Sequence, residues 1–276
     1  MPDEKSHRDD KRPQKGRYPL KDIAPVLNGW EYEPGTINVR KIIGIDGEPK
    51  LQMRLDLGLL QMELNGRPDG DRPHGCESLL EYHERRLREH RRRTGGDSGF
   101  HLTEEQCQLL REEAMMYYHR YLSLFVLGDF PAVARDTARN LRVLDLCCKF
   151  ADTQQDRLIM EQYRPYIIMM HTRALASIEC ERGEFKRALF LVRRGLRSMK
   201  RFFARFGQEE AYKRANEARI LRRFGREIKS KLPVDPLRQL QRRLDRAVQE
   251  ERYEEAARLR DEIEKIRPSS GPGVSQ

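Results

Sequence analysis

Most of this chain follows a single periodicity, in which apolar residues recur every three or four positions, as on one face of an α-helix. The pattern begins after Thr103-Glu104-Glu105-Gln106, a capping-box sequence in which the Thr hydroxyl and the Gln side chain can each satisfy a free backbone amide. One apolar stripe consists of Phe185, Ala188, Leu189, Val192, Leu196, Met199, Phe203 and Phe206. The sequence therefore predicts a mainly α-helical protein.

A shorter segment nearer the amino terminus has the two-residue period of a β-strand. Its apolar members alternate with polar residues or glycine: Leu51, Met53, Leu55, Leu57 and Leu59. The alternation shifts by one residue beside Gly58, which predicts a β-bulge there. Residues 36–45 predict a weaker strand, and Asp46-Gly47 supplies the turn of a β-hairpin. Because a hairpin alone is marginally stable, we expect a helix from near Ser78 to Thr94 to cover it.

Three helix-turn-helix units share one pattern at their turns. Each has an aromatic residue at the turn and a small or β-branched residue three positions later: Phe130 and Val133, Phe185 and Ala188, Tyr253 and Ala256. We expect each aromatic to plug the open end of a helical hairpin. The spacings between the aromatics, 185 − 130 = 55 and 253 − 185 = 68, differ from the period of about 34 in tandem tetratricopeptide repeats. We therefore predict tetratricopeptide-like hairpins without a regular array.

The positive charge is concentrated in two places. Residues 182–231 hold 17 Lys/Arg and five acids, a net charge of 17 − 5 = +12, whereas the whole chain has +10. A second cluster of arginines occupies residues 85–93. Four arginines of the first region share one side of the predicted helix and could bind nucleic acid: Arg187, Arg194, Arg197 and Arg201. The alternative, a solvated helix face, is favoured because the apolar stripe uses most of the nearby aromatics.

The segment GRPDGDRPHG, residues 66–75, predicts a tight loop, since it contains two prolines and three glycines. It presents Arg67, Asp69, Arg72 and His74. One interpretation is a rigid contact loop. The other, which we favour, is that the two arginines pair with Asp69 and Asp71 and hold the turn.

The chain lacks the sequence signatures of common catalytic sites. It contains neither a P-loop nor H-E-x-x-H nor G-x-S-x-G, and its seven histidines are scattered. Its five cysteines include no C-x-x-C pair of the kind that binds structural zinc. We therefore expect the cysteines to be small buried residues of a protein in a reducing compartment. We expect no enzyme activity, catalytic residue, metal or cofactor. No long apolar run or signal-like amino terminus is present, so we expect a cytoplasmic protein that does not associate with membranes.

Composition shifts predict five segments along the chain. These are a disordered tail (1–20), a β-hairpin and helix module (21–99), a tetratricopeptide-like helical domain (100–230), a helical hairpin (231–267) and a second disordered tail (268–276). In the hairpin, Asp235 is a natural N-cap and Pro236 suits the first helical position.

The hairpin sequence resembles the UVR motif shared by the UvrB and UvrC subunits of bacterial nucleotide excision repair. The motif also occurs in activators of bacterial protein-arginine kinase and in some Clp ATPases. The matching residues are Leu240, Leu244, Ala247, Tyr253, Glu254, Ala256, Ala257, Leu259, Arg260, Asp261 and Ile263. The rest of the chain looks like a group of bacterial proteins that carry this motif.

The resemblance implies a small helical hairpin that pairs with another UVR hairpin or with a different partner protein. It does not imply nuclease activity, because the helicase motifs of UvrB and the nuclease domain of UvrC are missing. We therefore expect a non-catalytic adaptor that binds protein through the residues named above. The alternatives are a nucleic-acid-associated accessory factor in DNA repair, a regulator of a Clp or arginine-kinase system, and a hairpin that packs only on its own helical domain.

Overall fold

A computed structural model describes residues 22–232 and 236–266. The predicted tails at 1–20 and 268–276 and the predicted N-cap Asp235 lie outside the described residues. The described chain divides into two compact units. The first comprises residues 22–100 and 105–129, and the second comprises residues 101–104, 130–232 and 236–266.

The first unit contains a three-stranded antiparallel sheet. Its strands are β1 (Val39–Ile43), β2 (Pro49–Arg54) and β3 (Leu59–Glu63), and β2 lies in the middle. The predicted turn between β1 and β2 is confirmed: Gly47 has a φ of +80°, and the Glu48 amide donates to the Asp46 carboxylate over 3.1 Å.

The predicted bulge beside Gly58 is wrong, because the chain reverses direction there. The Leu55 amide donates to the Gly58 carbonyl over 2.9 Å, and Arg54 pairs with Leu59 across the resulting hairpin. Leu57 is 90% exposed, as expected for a turn rather than a strand. The residues predicted as one long strand therefore form two strands, and the predicted hairpin is a three-stranded sheet.

The first unit also contains helices. They are α1 (Ala24–Leu27), α2 (Leu79–Thr94) and α3 (Glu104–Val126), with a short 3-10 helix at Pro73–Gly75. The Ser78 hydroxyl accepts from the Glu81 amide over 3.2 Å, and Gly95 ends α2 in the left-handed conformation. The predicted bounds of α2 are thus confirmed, and α3 begins directly after Thr103, where the capping-box pattern placed a helix start.

The second unit is built of helices. These are α4 (Phe130–Phe150), α5 (Gln154–Leu158), α6 (Arg164–Glu181), α7 (Phe185–Arg205), α8 (Glu209–Arg214), α9 (Asn216–Ser230), α10 (Pro236–Gln249) and α11 (Tyr253–Ile266). Helix α6 packs against α4, α7 and α9, and α10 packs against α11. A mainly helical fold with a small amino-terminal sheet is confirmed, whereas the tetratricopeptide-like arrangement stays a prediction.

Four helices end in the same hydrogen-bonded motif. A residue with positive φ stands at the C′ position, and its amide and the next amide donate back to carbonyls of the last turn. The C′ residues are Gly128, Gly183, Gly207 and Glu251. The turns at residues 128, 183 and 251 agree with the predicted breaks. Gly207 was not predicted.

The aromatic residues after these turns are less enclosed than the sequence suggested. Phe130 and Phe185 are half-buried, whereas Tyr253 is 69% exposed, so the prediction that Tyr253 plugs a hairpin is wrong. The small or β-branched residues three positions later are all buried: Val133, Ala188 and Ala256. Close helix packing thus depends on the small side chains more than on the aromatics.

Two further features bear on the sequence predictions. Among the described residues, no helix has both the length and the apolarity required to cross a bilayer. No disulfide joins any of the five cysteines, all of which lie among the described residues, and Cys76, Cys107 and Cys147 are buried as predicted. Cys148 and Cys180 are half-buried.

Candidate functional site

The loop at residues 66–75 is anchored from within the first unit. Arg67 pairs with Asp69 at 3.0 Å and with Asp71 at 3.6 Å, as predicted for this arginine. The same prediction is wrong for Arg72, whose guanidinium makes no ion pair with the described residues. The buried Arg120 guanidinium donates to the carbonyls of Glu63 and Gly66, over 3.0 and 2.8 Å. Two arginines therefore serve the loop's own structure, and Arg120 is the one that the sequence did not reveal.

The outer residues of this loop are arranged differently. Arg72 is exposed, and His74 has a φ of +52° and stacks on Tyr82 with 4.0 Å between the ring centroids. The four loop residues singled out from the sequence thus do not converge on a common ligand position: Arg67 and Asp69 bind each other, whereas Arg72 and His74 face outward.

The predicted nucleic-acid residues all lie on α7 in the second unit and are all exposed: Arg187, Arg194, Arg197 and Arg201. Arg187 pairs with Glu179 of α6 at 3.3 Å. The apolar stripe of the same helix faces inward, with Ala188, Val192 and Met199 buried. The helix is therefore amphipathic in the sense that the sequence predicted.

The carboxyl-terminal hairpin is closed by a tight connection between α10 and α11. The Arg252 amide donates to the Ala247 carbonyl over 2.8 Å, and the Glu251 amide donates to the Val248 carbonyl over 3.2 Å. Glu251 has a φ of +55° and is therefore in the left-handed conformation, in which glycine is the usual residue at this position of a helix end. The connection thereby brings the two helices together in antiparallel orientation.

The hairpin has a small apolar core of its own. Ala247, Ala256 and Leu259 are buried together, and Leu240 and Leu244 pack against them. Ile263 is also buried. Six of the eleven motif residues are therefore turned inward, and five of them form the seam between α10 and α11.

The other five motif residues point to solvent: Tyr253, Glu254, Ala257, Arg260 and Asp261. Their spacing places Tyr253, Ala257, Arg260 and Asp261 on one side of α11, adjacent to the side that carries Ala256 and Leu259. Arg260 and Asp261 lie within 3.8 Å of each other on this surface. We call these five residues the outer face.

The division of the motif into a core and an outer face was not evident from the sequence, which assigned all eleven residues one role. Ala256 and Ala257 are adjacent, yet Ala256 is buried and Ala257 is exposed. The apolar periodicity from Ala256 to Ile263 could have indicated this, since Ala257 falls outside that stripe. Tyr253 does not belong to the core either.

Comparison with known proteins supports the motif and nothing larger. A family model described as the UvrB/uvrC motif matches residues 235–267, a small part of the chain. Neither the curated proteins nor the solved structures gave a match.

Proposed function

We propose that this protein is a non-catalytic adaptor that binds another protein through the outer face of its carboxyl-terminal hairpin. The observation that carries the proposal is the division of the motif. The hairpin core accounts for Leu240, Leu244, Ala247, Ala256, Leu259 and Ile263, but not for the outer face. A surface residue that the fold does not require is available for recognition.

The chemistry of the outer face suits a protein partner. Tyr253 offers a large, rigid and mostly exposed ring, which is the kind of side chain that anchors protein interfaces. Ala257 beside it allows close approach of a partner backbone, and Arg260 and Asp261 offer one charge of each sign. Such a mixture selects a partner by shape and paired charges.

The net charge of the hairpin argues against phosphate as its main ligand. Residues 236–266 contain eight Lys/Arg and eight Asp/Glu, so that 8 − 8 = 0. Phosphate recognition relies on a surplus of cations, which this segment lacks. We take the partner to be a protein with its own small helical hairpin, as the resemblance to the UVR motif implies.

The family match also supports a second candidate, an accessory role in nucleotide excision repair, because the matched description names UvrB and UvrC. In that case the partner on the outer face would itself be a repair protein. The two candidates share one binding surface and differ in the identity of the protein bound.

Site-specific photocrosslinking in the native host tests the proposal. A photoreactive residue is placed at position 257 of the full chain, on α11. The matched control places it at exposed position 242, on the side of α10 that faces away from the hairpin core. We expect one discrete protein adduct from position 257 that position 242 does not give, and mass spectrometry of that adduct identifies the partner. Equal adducts from both positions would contradict the proposal.

A further inference from the structure

Helix α7 is the most strongly charged element of the second unit. Its 21 residues include eight cations and no carboxylate. The cations are Lys186, Arg187, Arg193, Arg194, Arg197, Lys200, Arg201 and Arg205. All eight side chains are exposed.

Few of these cations are neutralised by the protein itself. Arg187 pairs with Glu179, and the Arg205 guanidinium donates to the Cys148 Sγ over 3.2 Å. Within the part of the chain that the structure describes, the other six make neither an ion pair nor a hydrogen bond; they are Lys186, Arg193, Arg194, Arg197, Lys200 and Arg201. A helix that holds six uncompensated charges side by side attracts a polyanion.

An exposed aromatic residue lies in the middle of this charge. Phe190 is 55% exposed, whereas every other large apolar residue of α7 is buried or half-buried. Its spacing of three and four residues from Arg187 and Arg194 places it on the same side of the helix. That stripe continues through Arg197 to Arg201, a length of about 21 Å at 1.5 Å per residue.

Phe190 changes the interpretation that the sequence favoured. The sequence argued for a solvated face because Phe203 and Phe206 were expected to be used in packing. Phe203 is indeed buried and Phe206 is half-buried, but Phe190 is free to stack. Arginines that flank an accessible aromatic are the combination that holds single strands, since the cations bind the phosphates and the ring stacks on a base.

We infer that the outer side of α7, with Phe190 among Arg187, Arg194, Arg197 and Arg201, binds single-stranded nucleic acid. A duplex is a poorer ligand for this surface, because its bases are stacked inside and offer no face to Phe190. A membrane is disfavoured as well. A helix that lies in a bilayer surface inserts its apolar stripe, whereas α7 buries that stripe against α6 and α9. This surface is separate from the outer face of the hairpin.

The test measures binding of the full chain to labelled oligonucleotides by fluorescence anisotropy, with single-stranded DNA, single-stranded RNA and duplex DNA at several salt concentrations. Phe190→Ala removes the ring, and Tyr163→Ala is the matched control because it removes an aromatic of similar exposure, 52% against 55%, that lies outside α7 and outside the hairpin. We expect Phe190→Ala to weaken single-strand binding roughly 5- to 150-fold, the usual effect of losing one base–aromatic stack. Tyr163→Ala is expected to leave it unchanged, and duplex binding should not respond to Phe190→Ala.

Charge reversal provides the second arm. The triple change Arg194→Glu, Arg197→Glu and Arg201→Glu should reduce the slope of log affinity against log salt by about 2, from about 0.7 for each of three phosphates. The matched control reverses Arg242, Arg246 and Arg258, which are exposed on the neutral hairpin, and should leave the slope unchanged. Circular dichroism confirms that each variant is folded.

Three results would overturn the inference. The first is equal single-strand affinity for Phe190→Ala and Tyr163→Ala. In the second, both triple variants have the same salt dependence. The third is binding of wild-type protein to phosphatidylserine vesicles but not to single strands. The photocrosslinking at position 257 is independent of all three, so failure here leaves the proposed adaptor function standing.

Discussion

Gly195 of α7 lies so close to Thr172 of α6 that a methyl group on Gly195 would overlap the Thr172 side chain. The two helices therefore approach each other at a position where only glycine fits. We predict that Gly195→Ala lowers the free energy of unfolding by up to about 2 kcal/mol, because the clash costs about 1–3 kcal/mol and the gain in helix propensity returns only about 1 kcal/mol.

Urea denaturation followed by circular dichroism measures this change. The double variant Gly195→Ala with Thr172→Ala is the control, because it removes the two Thr172 atoms nearest to the new methyl group. It should recover part of the lost stability. A single variant that is more stable than wild type would contradict the close contact between Gly195 and Thr172.

The buried imidazole of His83 makes the first unit sensitive to acid. Burial, reinforced by the positive charge of Arg86, lowers the pKa of His83 from 6.5 to about 4, and the side chain is 3% exposed. The unfolded chain thus takes up a proton at a higher pH than the folded chain does. The contribution of neutral His83 to stability is present above pH 6.5 and is lost as the pH falls toward 4, by about 2 kcal/mol between pH 7 and pH 5.

The variant His83→Gln isolates this contribution from the titration of carboxylates. The unfolding free energy of both proteins should fall between pH 7 and pH 5, and the fall should be about 2 kcal/mol smaller in His83→Gln than in wild type. Urea denaturation at the two pH values measures the difference. Parallel losses in both proteins would mean that His83 titrates normally.

The hairpin connection carries backbone strain at Glu251. Because Glu251 occupies the left-handed region where glycine is favoured, we predict that Glu251→Gly stabilises the hairpin by about 1 kcal/mol. Amide hydrogen exchange of α11 should slow accordingly. The matched control is Gly183→Ala, which places a side chain at the corresponding position of the α6–α7 turn. It should destabilise that turn by a similar amount. Faster exchange in Glu251→Gly would contradict this account.

Two adjacent alanines in α11, Ala256 and Ala257, should differ strongly in how well they tolerate substitution by aspartate. Ala256→Asp places an uncompensated charge in the hairpin core and is expected to unfold it. Ala257→Asp adds a charge in solvent, so its cost is limited to the helix propensity of Asp, at most about 0.7 kcal/mol. Hydrogen exchange across residues 253–266 distinguishes the two variants. Similar protection in both would place Ala256 and Ala257 in equivalent surroundings.

Local signals in the sequence were sufficient to predict most helix boundaries. Ser78 and Gly95 bracket α2, and Gly128 and Gly183 mark helix ends, because capping depends on neighbouring residues alone. The turn at Leu55–Gly58 was mistaken for a bulge, since both features shift the alternation by one residue and only the pairing of Arg54 with Leu59 separates them.

Contacts between distant residues could not be predicted in this way. Arg120 reaches the carbonyls of Glu63 and Gly66 across more than 50 positions of sequence, and nothing near Arg120 indicates this. The exposure of Phe190 likewise depends on how α7 packs. For the candidate site, the motif residues were predictable as a set, and the apolar periodicity of α11 could have indicated that Ala257 is exposed. The packing of α10 against α11 required the geometry of both helices.

The affinity of the crosslinked partner for the full chain tests the central claim most directly. Isothermal titration compares wild type with Ala257→Asp, and Arg242→Asp adds the same residue on the opposite side of the hairpin. We predict that Ala257→Asp weakens binding at least about tenfold, or about 1.4 kcal/mol, because a desolvated charge is placed in the interface. Arg242→Asp should bind as wild type does. Equal affinity of all three proteins would contradict the claim that the outer face is the binding surface.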